Sequence, residues 1–130
     1  MSKAFDFLKE CGVFYVATVN GARPAVRPFG AIMEYDGRMY ICTANTKEVY
    51  KQLLANPCVQ LSATKGRSYE WIRLNAAAVE DKELAAKKAM ISACPALVNI
   101  FGSAENPVFA VFALEKVSGF IANGPQIERF

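Results

Sequence analysis

Two Asx-Gly pairs, Asn20-Gly21 and Asp36-Gly37, stand close together near the start of the chain, each between apolar and β-branched runs. Asn-Gly and Asp-Gly accept positive φ at both central positions of a two-residue turn, so each pair joins antiparallel strands. The spacing predicts a meander: a strand over residues 13–19, an apolar stretch over 23–33, and a second hairpin joining 31–35 to 38–43. A chain that begins this way is not a parallel strand–helix repeat. No G-x-G-x-x-G or Walker loop occurs in it either.

Later segments extend the pattern. The amphipathic residues 3–10 predict a short helix with Phe7 and Leu8 inward, ended by Gly12. A second helix is predicted over 45–54, with Asn45 as N-cap, Glu48 completing a capping box, and Val49, Leu53 and Leu54 as its apolar face. Asn56-Pro57 stops it. Strands follow over 58–64 and 69–79, joined by Lys65-Gly66-Arg67. Residues 80–94 predict a helix, with Leu84, Ala85, Met90 and Ile91 near helical spacing. Residues 96–101 predict a further short helix after Pro95. Residues 108–114 form an apolar run between Pro107 and Glu115, a buried strand, and a last short strand falls within 119–130. This order predicts a mainly β, α+β protein: a small antiparallel barrel with helices packed against it. At 130 residues, with 53% hydrophobic and 21% charged residues, residues 1–130 form one domain with enough apolar surface for a core.

The sequence contains no histidine. That excludes Ser-His-Asp and Cys-His nucleophile systems, histidine-containing zinc sites and proximal-histidine haem. Acid–base or redox chemistry must come from Asp, Glu, Tyr, Lys or Cys, or from a bound cofactor. Cys11, Cys42, Cys58 and Cys94 lie far apart without a C-x-x-C pair and read as reduced, mostly buried thiols of a cytoplasmic protein. The longest stretch free of charged residues, 89–104, contains Pro95 and Gly102 and falls short of a membrane span. A net charge of +3 does not by itself argue for nucleic acid.

Two clusters carry possible chemistry. Thr43-Ala44-Asn45-Thr46-Lys47 marks a strand-to-helix junction, where unsatisfied N–H groups, two hydroxyls and a cation suit an anion such as a phosphate. The alternative is an ordinary capped helix with a solvated lysine. Arg27 lies in the otherwise apolar Ala25-Val26-Arg27-Pro28-Phe29-Gly30 and approaches the same region if the hairpins register normally. An arginine there is costly unless it is paired or faces a ligand; a structural ion pair or a snorkelling rim arginine are the alternatives. On the strand over 69–79, Trp71 and Arg73 share a face and could flank a flat ring, or Trp71 could be a core or subunit-boundary residue. Lys65, Arg67 and Arg73 with Tyr69 and Trp71 also allow a small nucleic-acid-binding face.

The segments Asn20-Gly21-Ala22-Arg23-Pro24, Val26-Arg27-Pro28-Phe29-Gly30, Asp36-Gly37-Arg38-Met39-Tyr40, Thr43-x-x-Thr46-Lys47, Leu53-x-x-Asn56-Pro57-x-Val59 and Trp71-Ile72-Arg73-Leu74 occur in a fixed order. In that order the chain resembles the pyridoxamine 5′-phosphate oxidase-related, FMN-binding split barrels, most of all their nitroimidazole-resistance-like branch. The resemblance implies a six-stranded antiparallel split β-barrel with flanking helices that forms a homodimer with FMN in the interface. It implies that Arg27, Pro28, Phe29 and Gly30 line the flavin, that Ile41, Cys42 and Thr43 lie beside it, and that Thr46 and Lys47 hold its phosphate. It places Trp71 against the flavin, and Arg27 is the cation that would stabilise the reduced ring. The implied activity is an FMN-dependent oxidoreductase acting on a small molecule, with NAD(P)H as a candidate donor. A non-enzymatic carrier or sensor of flavin, deazaflavin or haem is the alternative. Both the substrate-binding Arg-x-His of pyridoxamine phosphate oxidases and the active-site histidine of nitroimidazole-resistance proteins are missing, so neither of those two activities is expected.

Overall fold

The structure, a computed structural model, describes residues 2–130. The two hairpins form where they are predicted. Strands β1 (Phe14–Asn20) and β2 (Arg23–Phe29) pair antiparallel, with Asn20 opposite Arg23. The two loop residues are therefore Gly21 and Ala22, one position later than an Asn-Gly turn would put them. Gly21 alone takes positive φ, at +62°, which is the signature of a turn with glycine at its first central position. Strands β3 (Met33–Tyr35) and β4 (Arg38–Ala44) are joined by Asp36 and Gly37, whose φ values of +52° and +75° make the primed turn that the Asp-Gly pair predicts.

The remaining strands are β5 (Cys58–Thr64), β6 (Glu70–Asp81), β7 (Phe109–Asn123) and β8 (Gln126–Arg129). All eight join one sheet in the order β2-β1-β5-β6-β7-β4-β3, with β8 pairing β7. Six of them have seven or more residues; β3 and β8, with three and four, are short additions to that six-stranded frame.

The connection from β2 to β3 shows that the sheet is curled. These two strands are opposite edges, yet only residues 30–32 lie between them. Flat, seven strands would hold the edges roughly 29 Å apart, while four Cα steps reach about 14 Å at most. The sheet therefore closes on itself as a split barrel. One core results, in which Phe14 and Val16 of β1 meet Met39 and Ile41 of β4 around Leu61, Ile72 and Leu74. Pro24 and Pro28 sit in β2, an edge strand, where a missing N–H costs no ladder bond.

Helix α1 (Ser2–Cys11) seats Phe7 and Leu8 in this core, as predicted. Helix α2 (Glu48–Ala55) lies across the split and buries Val49, Gln52 and Leu53. Leu54, expected on that face, is exposed. The predicted cap is also different. The Asn45 amide donates to the Pro107 carbonyl at 2.8 Å, and Lys47 occupies the N-cap without a side-chain cap bond.

Residues 80–83, expected to begin a helix, continue β6 and turn instead. Tyr50 donates to Glu80 and Tyr40 to Asp81, both at 2.8 Å, and the Asp81 carboxylate also caps the Glu83 N–H at 3.0 Å. Helix α3 (Leu84–Ala93) starts only after them. A 3₁₀ turn (Pro95–Leu97) and α4 (Val98–Phe101) follow. Ala86, Met90 and Leu97 cover the outer face of β4 and β7 in a second apolar cluster around Tyr40 and Phe109.

β7 likewise runs on past Glu115. Asn75 pairs with Ser118 but Ala77 pairs with Glu115, so Lys116 and Val117 stand against Ala76 alone. This is a β-bulge, with Lys116 at φ +54°, and it carries the strand across the charges that seemed to end it.

Candidate functional site

Arg27 stands opposite Val16 on the inner side of the β2 edge. Its side chain reaches across the split to α2. One terminal nitrogen, Nη1, donates to Thr18 Oγ1 at 2.8 Å and to the Val16 carbonyl at 3.2 Å. The other, Nη2, donates to Gln52 Oε1 at 2.8 Å. Thr18 and Gln52, both buried, are themselves joined by a 2.5 Å bond from the threonine hydroxyl. Every one of these acceptors is neutral. No carboxylate lies within ion-pair distance of Arg27 among the described residues, and burial lowers its pKa. A guanidinium has five N–H donors; Nε–H and the second Nη2 hydrogen have no protein acceptor among the described residues.

Beside it opens a cleft of about 410 Å³, within the range of roughly 300–1,000 Å³ that receives small organic ligands. Its first wall is Arg27, Pro28, Phe29, Gly30 and Ala31, where the chain crosses from one barrel edge to the other. Its second wall is Cys42, Thr43 and Ala44 at the end of β4, then Lys47 and Val49 at the start of α2. Cys94, Ala96, Leu97, Ile100 and Phe101 form an apolar roof. Arg27 and Lys47 are its only charged lining residues among the described residues. The cleft is thus cationic at the α2 end, apolar at the roof, and free of acids. Burial pushes the Cys42 thiol up to about 12, with nearby Cys94 adding to the rise, so this sulfur stays a neutral thiol at physiological pH.

Seven of the residues singled out from the sequence meet here: Arg27, Pro28, Phe29, Gly30, Cys42, Thr43 and Lys47. Three do not. Ile41 is completely buried in the barrel interior, because it points to the opposite face of β4 from its neighbours Cys42 and Tyr40. Thr46 is exposed in the turn before α2, outside the lining. Trp71 lies on the outer face of β6, edge-on to Phe120 at 5.2 Å, with the Arg73 guanidinium 5.1 Å above its ring.

Sequence reasoning missed the roof and the Arg27 cradle. The roof comes from the charge-free stretch 89–104, whose sequence predicts helices over 80–94 and 96–101 but gives no sign that they cover a cleft; no single described helix is long and apolar enough for a membrane span. The cradle had a faint signal, a glutamine set beside Leu53 and three residues after Val49 on an otherwise apolar helix face. The cysteines also differ from expectation, since Cys58 is exposed and the other three are only partly buried; all four are free.

A larger cleft, about 590 Å³, lies between α1 and β8. Its cations are already paired, Lys3 with Glu128 and Lys65 with Glu10, and Asp6 and Glu70 also line it, so it offers no uncompensated cation to an anionic ligand.

A family model described as pyridoxamine 5′-phosphate oxidase matches residues 2–117. Among solved structures, a NimC/NimA family protein from Clostridium acetobutylicum superposes with a TM-score of 0.94 at 42% sequence identity, covering 100% of this chain and 91% of that one. General Stress Protein 26 from Bacillus anthracis gives a TM-score of 0.79 at 14% identity, over 99% and 97% of the two chains. HutZ, the heme storage protein from Vibrio cholerae, gives 0.66 at 17%, over 88% and 87%. At such low identities the last two are likenesses of fold alone. No curated protein sequence matches.

Proposed function

From the premise that this chain belongs to the pyridoxamine 5′-phosphate oxidase family, we propose that its cleft holds FMN and that the protein is an FMN-dependent oxidoreductase acting on a small molecule as a homodimer. The observation that carries this reading is the uncompensated Arg27 cation on the wall of a cleft that has Lys47, the Thr43 hydroxyl and an uncapped helix start at one end and apolar walls elsewhere. A phosphate matches the first end and a flat heteroaromatic ring the second. When bound, FMN supplies the electron and hydride chemistry that a histidine-free chain does not supply itself.

The protein's own residues then bind and orient. Arg27 and Lys47 neutralise the phosphate; because Arg27 is tied to α2, its role moves to that end and away from stabilising the reduced ring, the role the family resemblance implies. Ala31, Leu97, Ile100 and Phe101 exclude water from the ring. The homodimer reading is supported by the outer face of β1 and β2, where Tyr15 and Val26 are 50% and 66% exposed beside Ala17 and Pro28. A second copy packed there buries that face. Four free thiols suit a reducing compartment such as the cytoplasm.

Haem is a poorer fit. The chain has no histidine to ligate iron. A nucleic-acid role is disfavoured because Lys65 is paired with Glu10 and the Arg73 guanidinium lies over the Trp71 and Phe120 rings, which contact each other edge-on. The test is an absorption scan of freshly purified protein, then titration with FMN, then turnover with NAD(P)H and a quinone or nitro acceptor. Flavin bands with turnover support the oxidoreductase; flavin binding without turnover leaves a carrier or sensor. Colourless protein that takes up no added FMN overturns the reading.

A further inference from the structure

Arginines that only hold a fold together normally end on a carboxylate, because the charge is then compensated where it is desolvated. Arg27 is held by a threonine hydroxyl, a glutamine oxygen and a backbone carbonyl. Its geometry is locked while its charge is left whole. We propose that Thr18 and Gln52 are positioning residues whose neutrality makes this a phosphate-selecting site, so that the protein prefers a phosphorylated ligand over its dephosphorylated form through Arg27. The inference rests on the reading of the cleft as a flavin site and names what sets its selectivity.

The two residues act together. The Thr18 hydroxyl donates to Gln52 Oε1 and accepts from Arg27, and Gln52 Oε1 accepts from both. The glutamine oxygen is therefore fixed, and the guanidinium with it. Two N–H donors remain for the ligand. A glutamate in place of Gln52 would accept the same two bonds in the same space but would pair with Arg27 and cancel its charge. Charge, separated from shape, is what the proposal turns on.

Gln52→Glu is the experiment, read as the ratio of FMN to riboflavin affinity from quenching of flavin fluorescence, with the melting temperature measured beside it. Wild-type protein should favour FMN. The variant should melt at or above the wild-type temperature and lose at least about tenfold of that preference, the loss falling on FMN and not on riboflavin. A ratio within about twofold of wild type, in a folded variant, overturns the proposal. Should Gln52→Glu not fold, Thr18→Asp puts the carboxylate on the other side-chain partner of Arg27, and an unchanged ratio there overturns it equally. If wild type binds neither flavin, the flavin reading fails and the cradle is judged with inorganic pyrophosphate. Stabilisation of wild type that is lost in Gln52→Glu upholds the cradle, and no stabilisation of wild type overturns it.

Discussion

Replacing Arg27 with methionine should separate what the guanidinium does for the fold from what it does for the ligand. The side chain makes three close hydrogen bonds, at 2.8, 2.8 and 3.2 Å. Each contributes about 0.5–1.5 kcal/mol net, so the gross loss is roughly 2–4 kcal/mol. Two effects offset it. Thr18 and Gln52 keep their mutual 2.5 Å bond, so neither is orphaned. The variant also no longer desolvates a cation that has no anionic partner, a cost of several kcal/mol for a fully buried ion and a fraction of that at this partly buried position. The net destabilisation should be about 1 kcal/mol, or roughly 3–5 °C in melting temperature for a chain of this size. Ligand binding has no such offset. Loss of charge-assisted bonds to a phosphate costs about 1.5–3 kcal/mol, a fall of roughly 10- to 150-fold in FMN affinity with riboflavin nearly unaffected. Trp71 is the sole tryptophan, so its fluorescence reports urea unfolding without a label, and flavin titration reports binding. A melting temperature more than about 10 °C lower with the FMN-to-riboflavin ratio unchanged would refute the reasoning and make Arg27 a structural residue.

Three further outcomes are expected. Tyr40 is fully buried, donates to Asp81 at 2.8 Å, accepts from Arg38 at 2.9 Å, and is pushed by burial up to about 12. The folded state keeps this proton after the unfolded chain has lost its own, so stability falls as pH rises between about 10 and 12, by up to about 3 kcal/mol. Tyr40→Phe should remove that slope in pH-dependent urea melts and cost about 1–3 kcal/mol at neutral pH through the two lost hydrogen bonds, although Asp81 keeps the Glu83 N–H and Arg38 keeps Glu115. A methyl at Gly119 would lie 2.0 Å from the Arg73 carbonyl oxygen, whereas one at Gly30 meets nothing within 4 Å. Gly119→Ala should therefore lower the melting temperature by about 5–15 °C in a calorimetric scan and Gly30→Ala should leave it unchanged. The Cys42 thiol should label with a maleimide at pH 8 at least about 100-fold more slowly in the folded protein than in urea, followed by peptide mass analysis; equal rates would contradict its burial.

Much of the frame was legible because its signals are local. Gly21 and Asp36-Gly37 specify positive-φ turns by their own backbone chemistry, and period-two patterning marks β1 and β5 with Phe14, Val16, Val59 and Leu61 inward. The errors came where a local signal met a distant partner. Asn45 is a good N-cap in isolation, but Pro107, far along the chain, takes its amide. Glu80 and Asp81 look like the first turn of a helix until Tyr50 and Tyr40 claim their carboxylates. Glu115 and Lys116 look like a strand end because a bulge is a property of two strands and not of one.

The same division runs through the site. The sequence alone determined that any chemistry here runs without histidine, on Asp, Glu, Tyr, Lys or Cys or on a bound cofactor, and that Thr43, Lys47 and Arg27 are the residues suited to an anion. It also contained the family pattern that fixes the fold. Only the tertiary structure decided that residues 30–32 bridge the two barrel edges, that the stretch after Met90 roofs the cleft, and that Ile41 faces inward while Cys42 faces the cleft. Above all it decided what Arg27 is paired with. Composition says that an arginine exists and strand period says which way it points. Whether its charge is cancelled depends on which side chains barrel closure brings within 3 Å, and here those are Thr18 and Gln52, which leave it standing.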